Sequence, residues 1–213
     1  MKKYISITLV ALMITGIMVS CIKDPNPDRI DYTASIKDKT WWGMVTYTGK
    51  TPEYYSVHFN ADNSLLWSQL SGDYPGQWII NDKQIIMNFP GIASIVKAEI
   101  SDGKLMNFSD DNNSFTINTG QLVPNPTIPL GNTVWSMILG GLPGYEMIFT
   151  PGSKVEIRQG SLVFGPYSYK RLPSGAGIKV DLGGSLLFGV VISEGEMKGS
   201  RVNSEIPWHA VRI

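Results

Sequence analysis

The feature that most constrains the fold of this 213-residue chain is an internal duplication. Blocks in the second half of the sequence repeat blocks in the first half, in the same order and at a nearly constant displacement. Because the displacement changes only across turn-like segments, we interpret the repeat as two copies of one structural unit. The matched blocks are 40–44 with 133–137, 55–59 with 145–149, 65–69 with 155–159, 85–89 with 178–182, and 100–105 with 192–197.

Each copy alternates apolar and polar residues over short runs, which is typical of β-strands with one buried face. The runs are joined by segments rich in Asn, Asp and Gly, which accept the backbone conformations of tight hairpins. No joining segment has the length that a parallel crossover needs, so we expect antiparallel neighbours. The first copy contains eight such runs: 41–48, 54–60, 65–70, 77–80, 84–89, 95–100, 105–109 and 115–118.

A series of hairpins with one apolar face closes most simply into an up-and-down barrel, because closure leaves no sheet edge unpaired. The sequence therefore predicts an all-β protein made of two tandem up-and-down antiparallel β-barrels. We assign residues 39–119 to the first barrel and residues 132–213 to the second. Residues 120–131, which contain three prolines, form the predicted linker.

Comparison of the two copies also predicts which side chains face each interior, because one face of a strand keeps its apolar character in both copies. In the first strand, aligning Trp42 with Trp135 places Trp42 inside, so that Trp41, Val45 and Tyr47 point outward. Side chains of this size can fill an eight-stranded interior completely. The other predicted interior pairs are Tyr55/Tyr145, Val57/Met147, Phe59/Phe149, Leu65/Val155, Trp67/Ile157, Ile85/Ile178, Met87/Val180 and Phe89/Leu182.

The N-terminal segment has the layout of a secretory signal peptide, which we assign to residues 1–20. Lys2 and Lys3 precede an uncharged apolar run that is short for a transmembrane helix. The run ends at Met18-Val19-Ser20-Cys21, which resembles the lipobox of bacterial lipoproteins and contains the only cysteine. The resemblance implies cleavage before Cys21, acylation of that residue and lipid anchoring in the outer membrane. An ordinary signal peptide followed by a chance thiol is the alternative.

Residues 21–38 are predicted to be the anchor and tether. Ile22-Lys23-Asp24 partly resembles the export signal of surface lipoproteins in the Bacteroidetes, and leaves the surface and periplasmic faces of the membrane both open. Pro25-Asn26-Pro27 favours an extended chain, because proline fixes its backbone angle φ. Residues 30–39 are expected to contain one helical turn before the first strand.

Two short motifs connect the duplicated unit to a known kind of domain. The first copy carries Trp42-Gly43 in its opening strand and an Asx-rich turn at Phe59-Asn60-Ala61-Asp62-Asn63, and the second carries Trp135 and Phe149. This pattern resembles the lipocalin-like domains that are common in bacterial lipoproteins. The resemblance covers both copies, and implies small barrels that are able to carry an apolar molecule inside.

Composition and motif content argue against several functional classes. The 18 basic residues are balanced by 18 acidic residues and form no basic stripe, which is unlike a nucleic-acid-binding protein. His58 and His209 are the only histidines, and neither is paired with a nucleophile by any recognisable motif. No acidic residue is expected on an apolar face, where burial would adapt it for catalysis. We therefore expect no enzymatic activity, no metal site and no cofactor.

The remaining candidates for a functional site are outward-facing aromatic residues. We predict that Trp41, Tyr47, Tyr54, Tyr74 and Trp78 form an exposed platform for a glycan or an envelope protein. Alternatively, the two barrels bury these faces against each other. The preferred function is non-catalytic binding or scaffolding at the envelope, with the membrane contacted through the lipid anchor alone. The alternative function is a lipocalin-like carrier of a small apolar ligand.

Overall fold

Two closed eight-stranded antiparallel barrels follow one another along the chain, as the duplication predicts. The computed structural model describes residues 31–202 and 206–213, so that Cys21 and the predicted signal peptide lie outside the described residues. The first barrel contains β1 Lys39–Tyr47, β2 Glu53–Phe59, β3 Ser64–Gln69, β4 Gly72–Asn81, β5 Gln84–Phe89, β6 Ser94–Ser101, β7 Lys104–Asp110 and β8 Phe115–Leu122. The second contains β9 Thr133–Leu139, β10 Leu142–Thr150, β11 Lys154–Gln159, β12 Leu162–Arg171, β13 Gly177–Asp181, β14 Leu186–Ser193, β15 Glu196–Arg201 and β16 Ile206–Arg212.

Each strand pairs with its neighbours in sequence, and each barrel closes through its first and last strands. All eight runs predicted for the first copy form strands, and β8 continues to Leu122, past the predicted barrel boundary. The helical turn expected before the first strand is α1, Thr33–Ile36. A short 3₁₀ turn, Pro90–Ile92, joins β5 to β6. Within the described residues, no helix has the length and apolar character to span a membrane.

The pairing register shows that the predicted alignment of the first strands is wrong by one residue. Trp41 lies opposite Val57 in barrel 1, as Trp135 lies opposite Met147 in barrel 2. Trp41 is therefore the counterpart of Trp135, and both are buried in the core of their barrel. Trp42 faces outward, contrary to the prediction. A large apolar side chain is accommodated there because barrel 2, and not solvent, covers this face of β1.

The predicted interior pairs on the other strands are confirmed, because every member lies in or against one of the two barrel cores. On β1 the predicted faces are inverted. Val45 belongs to the first core and Tyr47 packs against it, together with Trp41. The alternation rule works where one face meets water, and fails on β1 because both of its faces are covered.

The segment that precedes each barrel closes one of its ends. Ile36 of α1 belongs to the core of barrel 1, and Ile128 and Leu130 of the connection between the barrels belong to the core of barrel 2. The Thr133 hydroxyl donates to the Leu130 carbonyl and accepts a hydrogen bond of 2.7 Å from Trp135 Nε1. We call these the closed ends, and the opposite ends, where β1 joins β2 and β9 joins β10, the open ends.

The barrels lie side by side with both open ends on the same side of the molecule. Near the closed ends, Thr40 Oγ1 donates to the carbonyl of Ser174 over 3.1 Å. Near the open ends, the Tyr54 N–H donates to Ser200 Oγ over 3.1 Å. Residues 31–213 therefore form one compact unit, in which the two closed ends lie next to each other and so do the two open ends. An apolar cluster fills the contact between the barrels: Trp42, Leu70, Val123, Leu172, Ala176, Phe188 and Val190.

Candidate ligand cavities

The five aromatic residues predicted to form an exposed platform are divided among three environments. Trp41 and Trp78 are each only 2% exposed and belong to the core of barrel 1, so the prediction that Trp41 points outward is wrong. Trp41 is buried because the faces of β1 are the reverse of those predicted. Trp78 is buried because its neighbours on β4, Gln77 and Ile79, take the solvent face. Tyr54 packs in the contact between the barrels, with its ring 6.2 Å from that of Trp42. Tyr47 and Tyr74 line a cavity.

This cavity, which we call cavity 1, lies at the open end of barrel 1, extends to Ser200 and Val202 of barrel 2, and has a volume of about 1230 Å³. The nearly buried Trp67 and Phe89 form its floor, and Tyr47 and Tyr74 lie in its wall. Phe115 lies beside Tyr47 on the neighbouring strand, with the two ring centroids 5.9 Å apart. Side chains of this size can fill an eight-stranded interior, but at this end of barrel 1 they leave space. The Trp67 ring is held in place by stacking on Tyr55, whose ring lies 4.1 Å away and nearly parallel to it.

A buried glutamine organises the wall of cavity 1. Gln69 Oε1 accepts a hydrogen bond of 2.8 Å from Trp67 Nε1, which fixes the orientation of the indole ring. Three acceptors lie within hydrogen-bonding distance of Gln69 Nε2, which can donate to two of them at a time: Tyr47 Oη at 2.8 Å, Ser71 Oγ at 2.6 Å and Glu53 Oε1 at 3.1 Å. These bonds connect three strands at the mouth, so the wall is already organised without a ligand.

The hydroxyl of Tyr47 remains protonated at neutral pH. Burial raises the pKa of Tyr47 to about 12, the hydrogen bond with Gln69 opposes this rise, and the negative charge of Glu53 adds to it. The phenol therefore offers the cavity a neutral group that can both donate and accept a hydrogen bond.

Asp110, at the end of β7, is an inward-facing acid, and the expectation that no acid lies on an apolar face is wrong. It lies opposite Val96, which lines cavity 1, and is 7% exposed. Burial by itself raises the pKa of Asp110, but hydrogen bonds from the N–H and hydroxyl of Ser114 outweigh it and lower the pKa below its ordinary value. The carboxylate is thus ionised and holds the turn at the rim of the barrel, which agrees with the turn predicted there.

A second cavity, cavity 2, occupies the open end of barrel 2 and has a volume of about 490 Å³. Four of its lining residues occupy positions that also line cavity 1, as the strand pairing shows, but carry different side chains, and a fifth, Gln159, takes the place of Gln69. Gln159, the counterpart of Gln69, is exposed at the mouth instead of buried beneath it. The corresponding pairs, cavity 1 first, are Trp67/Ile157, Gln69/Gln159, Tyr74/Phe164, Phe89/Leu182 and Val96/Leu187.

Arg201, the last residue of β15, is an inward-facing cation that the sequence analysis did not identify. It lies opposite Leu187 in the same way that Asp110 lies opposite Val96, and it lines cavity 2. Its Nε donates to Ser185 Oγ over 3.2 Å. Strand alternation counted from the buried Met197 places Arg201 on the interior face, so the sequence contains the signal that identifies it.

His58 is connected through Thr40 to a hydrogen bond between the two barrels, and this gives it a structural role. Thr40 has one hydroxyl hydrogen, which it donates to the Ser174 carbonyl, so His58 Nδ1 is the donor in its 2.9 Å hydrogen bond with Thr40 Oγ1. Burial lowers the pKa of His58, and the charge of Asp38 opposes this effect. In the part of the chain that the structure describes, no cluster of three or more His, Cys, Asp or Glu side chains could hold a metal ion.

The two cavities are the concave sites that the barrel architecture provides at its open ends. Both combine apolar walls with a few polar groups at the mouth, which is the usual construction of a small-molecule site. The two cavities differ in volume and in the charge at one equivalent position of the rim, which is Asp110 in barrel 1 and Arg201 in barrel 2. Comparison of the chain with models of protein families, with curated proteins and with solved structures found no match.

Proposed function

We propose that this protein acts by binding, and that its first barrel holds a small, mostly apolar molecule in cavity 1. The observation that carries the proposal is the aromatic floor of Trp67 and Phe89 beneath a mouth lined by Tyr47 and Tyr74. Ring faces offer a ligand a large apolar contact, and tyrosine hydroxyls add polar contacts at one end. This is the carrier function that was the alternative in the sequence analysis.

The buried state of Trp41 and Trp78 favours the carrier over the exposed glycan platform. A flat platform for sugar rings needs accessible aromatic faces, and these two indoles are enclosed by the core of barrel 1. The accessible rings, those of Tyr47 and Tyr74, face a cavity instead of a flat surface. A ligand with an apolar body inside the barrel and a polar group at the mouth suits this arrangement.

The fixed hydrogen bonds of Gln69 also support binding in cavity 1. Because Gln69 already ties Trp67, Tyr47 and Glu53 together, few side chains need to be ordered when a ligand enters. A wall organised in advance lowers the entropic cost of association. The same network places the Tyr47 hydroxyl beside the cavity, where it can contact the polar part of a ligand.

Titration with N-phenyl-1-naphthylamine, an uncharged apolar fluorophore, tests the proposal. We expect saturable binding to the wild-type protein, and at least about tenfold weaker binding to Val96→Trp, which fills cavity 1. The matched control is Leu187→Trp, at the equivalent position of barrel 2, which should leave this binding intact. Ser94→Phe is a second filling variant, and circular dichroism verifies that each variant is folded. Wild-type affinity in both folded filling variants would refute the proposal.

We also propose that the chain is a lipoprotein of the bacterial outer membrane, attached through acyl chains on Cys21. The lipobox-like Met18-Val19-Ser20-Cys21 supports this proposal, and several acyl chains are enough for stable anchoring. Metabolic labelling with palmitate tests it: the label should be present in the wild type and absent from Cys21→Ser. Labelling of the serine variant would rule out Cys21 as the site of attachment.

A further inference from the structure

Cavity 2 is an apolar cavity with a cationic side chain in its wall. Met137, Ile157, Leu182 and Leu187 supply its apolar surface, and Arg201 is the charged residue among the described residues that line it. A volume of about 490 Å³ lies within the range of small-molecule pockets. The combination is typical of a site for a molecule with an apolar body and one anionic group.

The geometry of Arg201 leaves most of its hydrogen-bonding capacity available. One of its five N–H donors is used by Ser185 Oγ. Among the described residues, no acidic side chain forms an ion pair with Arg201. A guanidinium in an apolar wall is strongly stabilised by a carboxylate, which it can bind through two parallel hydrogen bonds.

We propose that cavity 2 binds an amphiphile with a single apolar chain and an anionic headgroup, and that Arg201 holds the headgroup. The chain lies against Ile157, Leu182 and Leu187, and the headgroup stays at the mouth. The connections around that mouth are themselves apolar, with Leu142 64% and Leu162 59% exposed. They provide further contact for a chain longer than the cavity.

The electrostatics of cavity 1 make it the wrong site for such a ligand. Asp110 occupies the position equivalent to Arg201, and the carboxylate of Glu53 lies in the wall of cavity 1. Together these two carboxylates outweigh Lys50, the exposed cation at the mouth, so the charge around cavity 1 disfavours an anion. The inference for cavity 2 is therefore independent of the function proposed for cavity 1, since it concerns a different cavity and the opposite charge at one position.

Isothermal titration calorimetry with decanoate and with decyltrimethylammonium tests the proposal, because the two probes share a ten-carbon chain and carry opposite charges. We expect decanoate to bind the wild type, and Arg201→Met to weaken that binding by about tenfold or more. Arg201→Lys should retain part of the affinity, and Arg201→Glu should reverse the preference in favour of decyltrimethylammonium. Lys50→Met, which removes the exposed cation at the mouth of cavity 1, is the matched control and should bind decanoate as the wild type does.

Filling variants locate the bound chain. Leu187→Trp should abolish decanoate binding, whereas Val96→Trp should preserve it. The proposal is overturned if Arg201→Met binds decanoate with wild-type affinity, if Lys50→Met is the variant that loses affinity, or if decanoate does not bind at all. None of these outcomes changes the result expected for the uncharged fluorophore in cavity 1, so the two proposals fail separately.

Discussion

The two barrels share a strand register, a buried tryptophan on the first strand and a segment that closes one end, but their open ends differ in chemistry. Trp41 and Trp135 occupy equivalent positions in the closed halves. In the open halves, Asp110 stands where the other barrel has Arg201. Closed-half positions are constrained by dense packing, whereas rim positions border a cavity and tolerate exchange. The duplication therefore supplies one frame with two separately adjustable sites.

The largest expected effect tests whether the two buried tryptophans are true equivalents. Trp41→Ala and Trp135→Ala should each lower the free energy of unfolding by about 3–5 kcal/mol, measured by guanidinium denaturation. The milder exchange to Phe should separate them: Trp135 Nε1 donates to Thr133, whereas Trp41 Nε1 has no hydrogen-bond partner among the described residues. Trp41→Phe should therefore lower the free energy of unfolding by less than Trp135→Phe does. The reverse order would contradict this account.

The next effect concerns Trp42, whose position in barrel 2 is occupied by Ser136. Trp42 is 6% exposed in the cluster between the barrels, with Lys198 Nζ lying 5.3 Å from its ring centroid. Trp42→Ala should cost about 2–4 kcal/mol and make the connection between the barrels easier to cleave in limited proteolysis. Ser136→Ala, on an exposed face, should change stability by less than about 0.5 kcal/mol. Equal sensitivity of the two variants to protease would argue against a stabilising contact there.

A smaller difference is expected between the two equivalent glutamines. Gln69→Ala leaves the Trp67 indole N–H and neighbouring polar groups without their partner, so it should cost about 1–3 kcal/mol. It should also weaken binding of the uncharged fluorophore to cavity 1. Gln159→Ala, at the exposed counterpart, should lie within about 0.5 kcal/mol of the wild type in urea denaturation. Similar losses for both glutamines would show that the Gln69 network does not organise the barrel.

The smallest expected effect is a dependence of stability on pH that comes from His58 in barrel 1. Barrel 2 has no counterpart to it, because Ile148 occupies the equivalent position. Burial lowers the pKa of His58, so the fold favours the neutral ring. The stabilisation that neutral His58 gives the fold is therefore fully present above the ordinary histidine pKa, and it is lost as the pH falls through the lowered pKa of the folded state. His58→Ile should reduce the loss of Tm between about pH 7 and about pH 5. If His58→Ile loses as much Tm as the wild type over this range, the loss comes from other titrating groups.

Strands with one solvent face could be predicted from the sequence, and the strand with two covered faces could not. Tyr55, Val57 and Phe59 alternate clearly with polar residues, and the structure places all three in the core. On β1, Trp41 and Trp42 are adjacent and both buried, one by its own barrel and one by the neighbouring barrel. Alternation cannot separate two apolar faces, and this is why the alignment was displaced by one residue.

The candidate sites were only partly accessible to sequence reasoning. Arg201 lies in unbroken alternation with Met197, so counting along β15 reveals an interior cation. Asp110 could not be found in this way, because the pairing of β6 with β7 shifts register near Asn107, whose φ is 51°. A bulge of this kind moves every later side chain to the opposite face. The cavities depend on how the interior side chains pack, which the pattern of residue types does not specify.

The closed ends also receive the chain at both limits of its described part. Tyr32, just before α1, packs on the core of barrel 1, and the Ile213 N–H donates to the Val134 carbonyl near the start of β9 over 3.0 Å. Anything attached through the N-terminal segment therefore joins the molecule on the side remote from the two mouths. The two mouths are thus left clear of both limits of the described chain, so that a molecule can reach either cavity without passing the segments where that chain begins and ends.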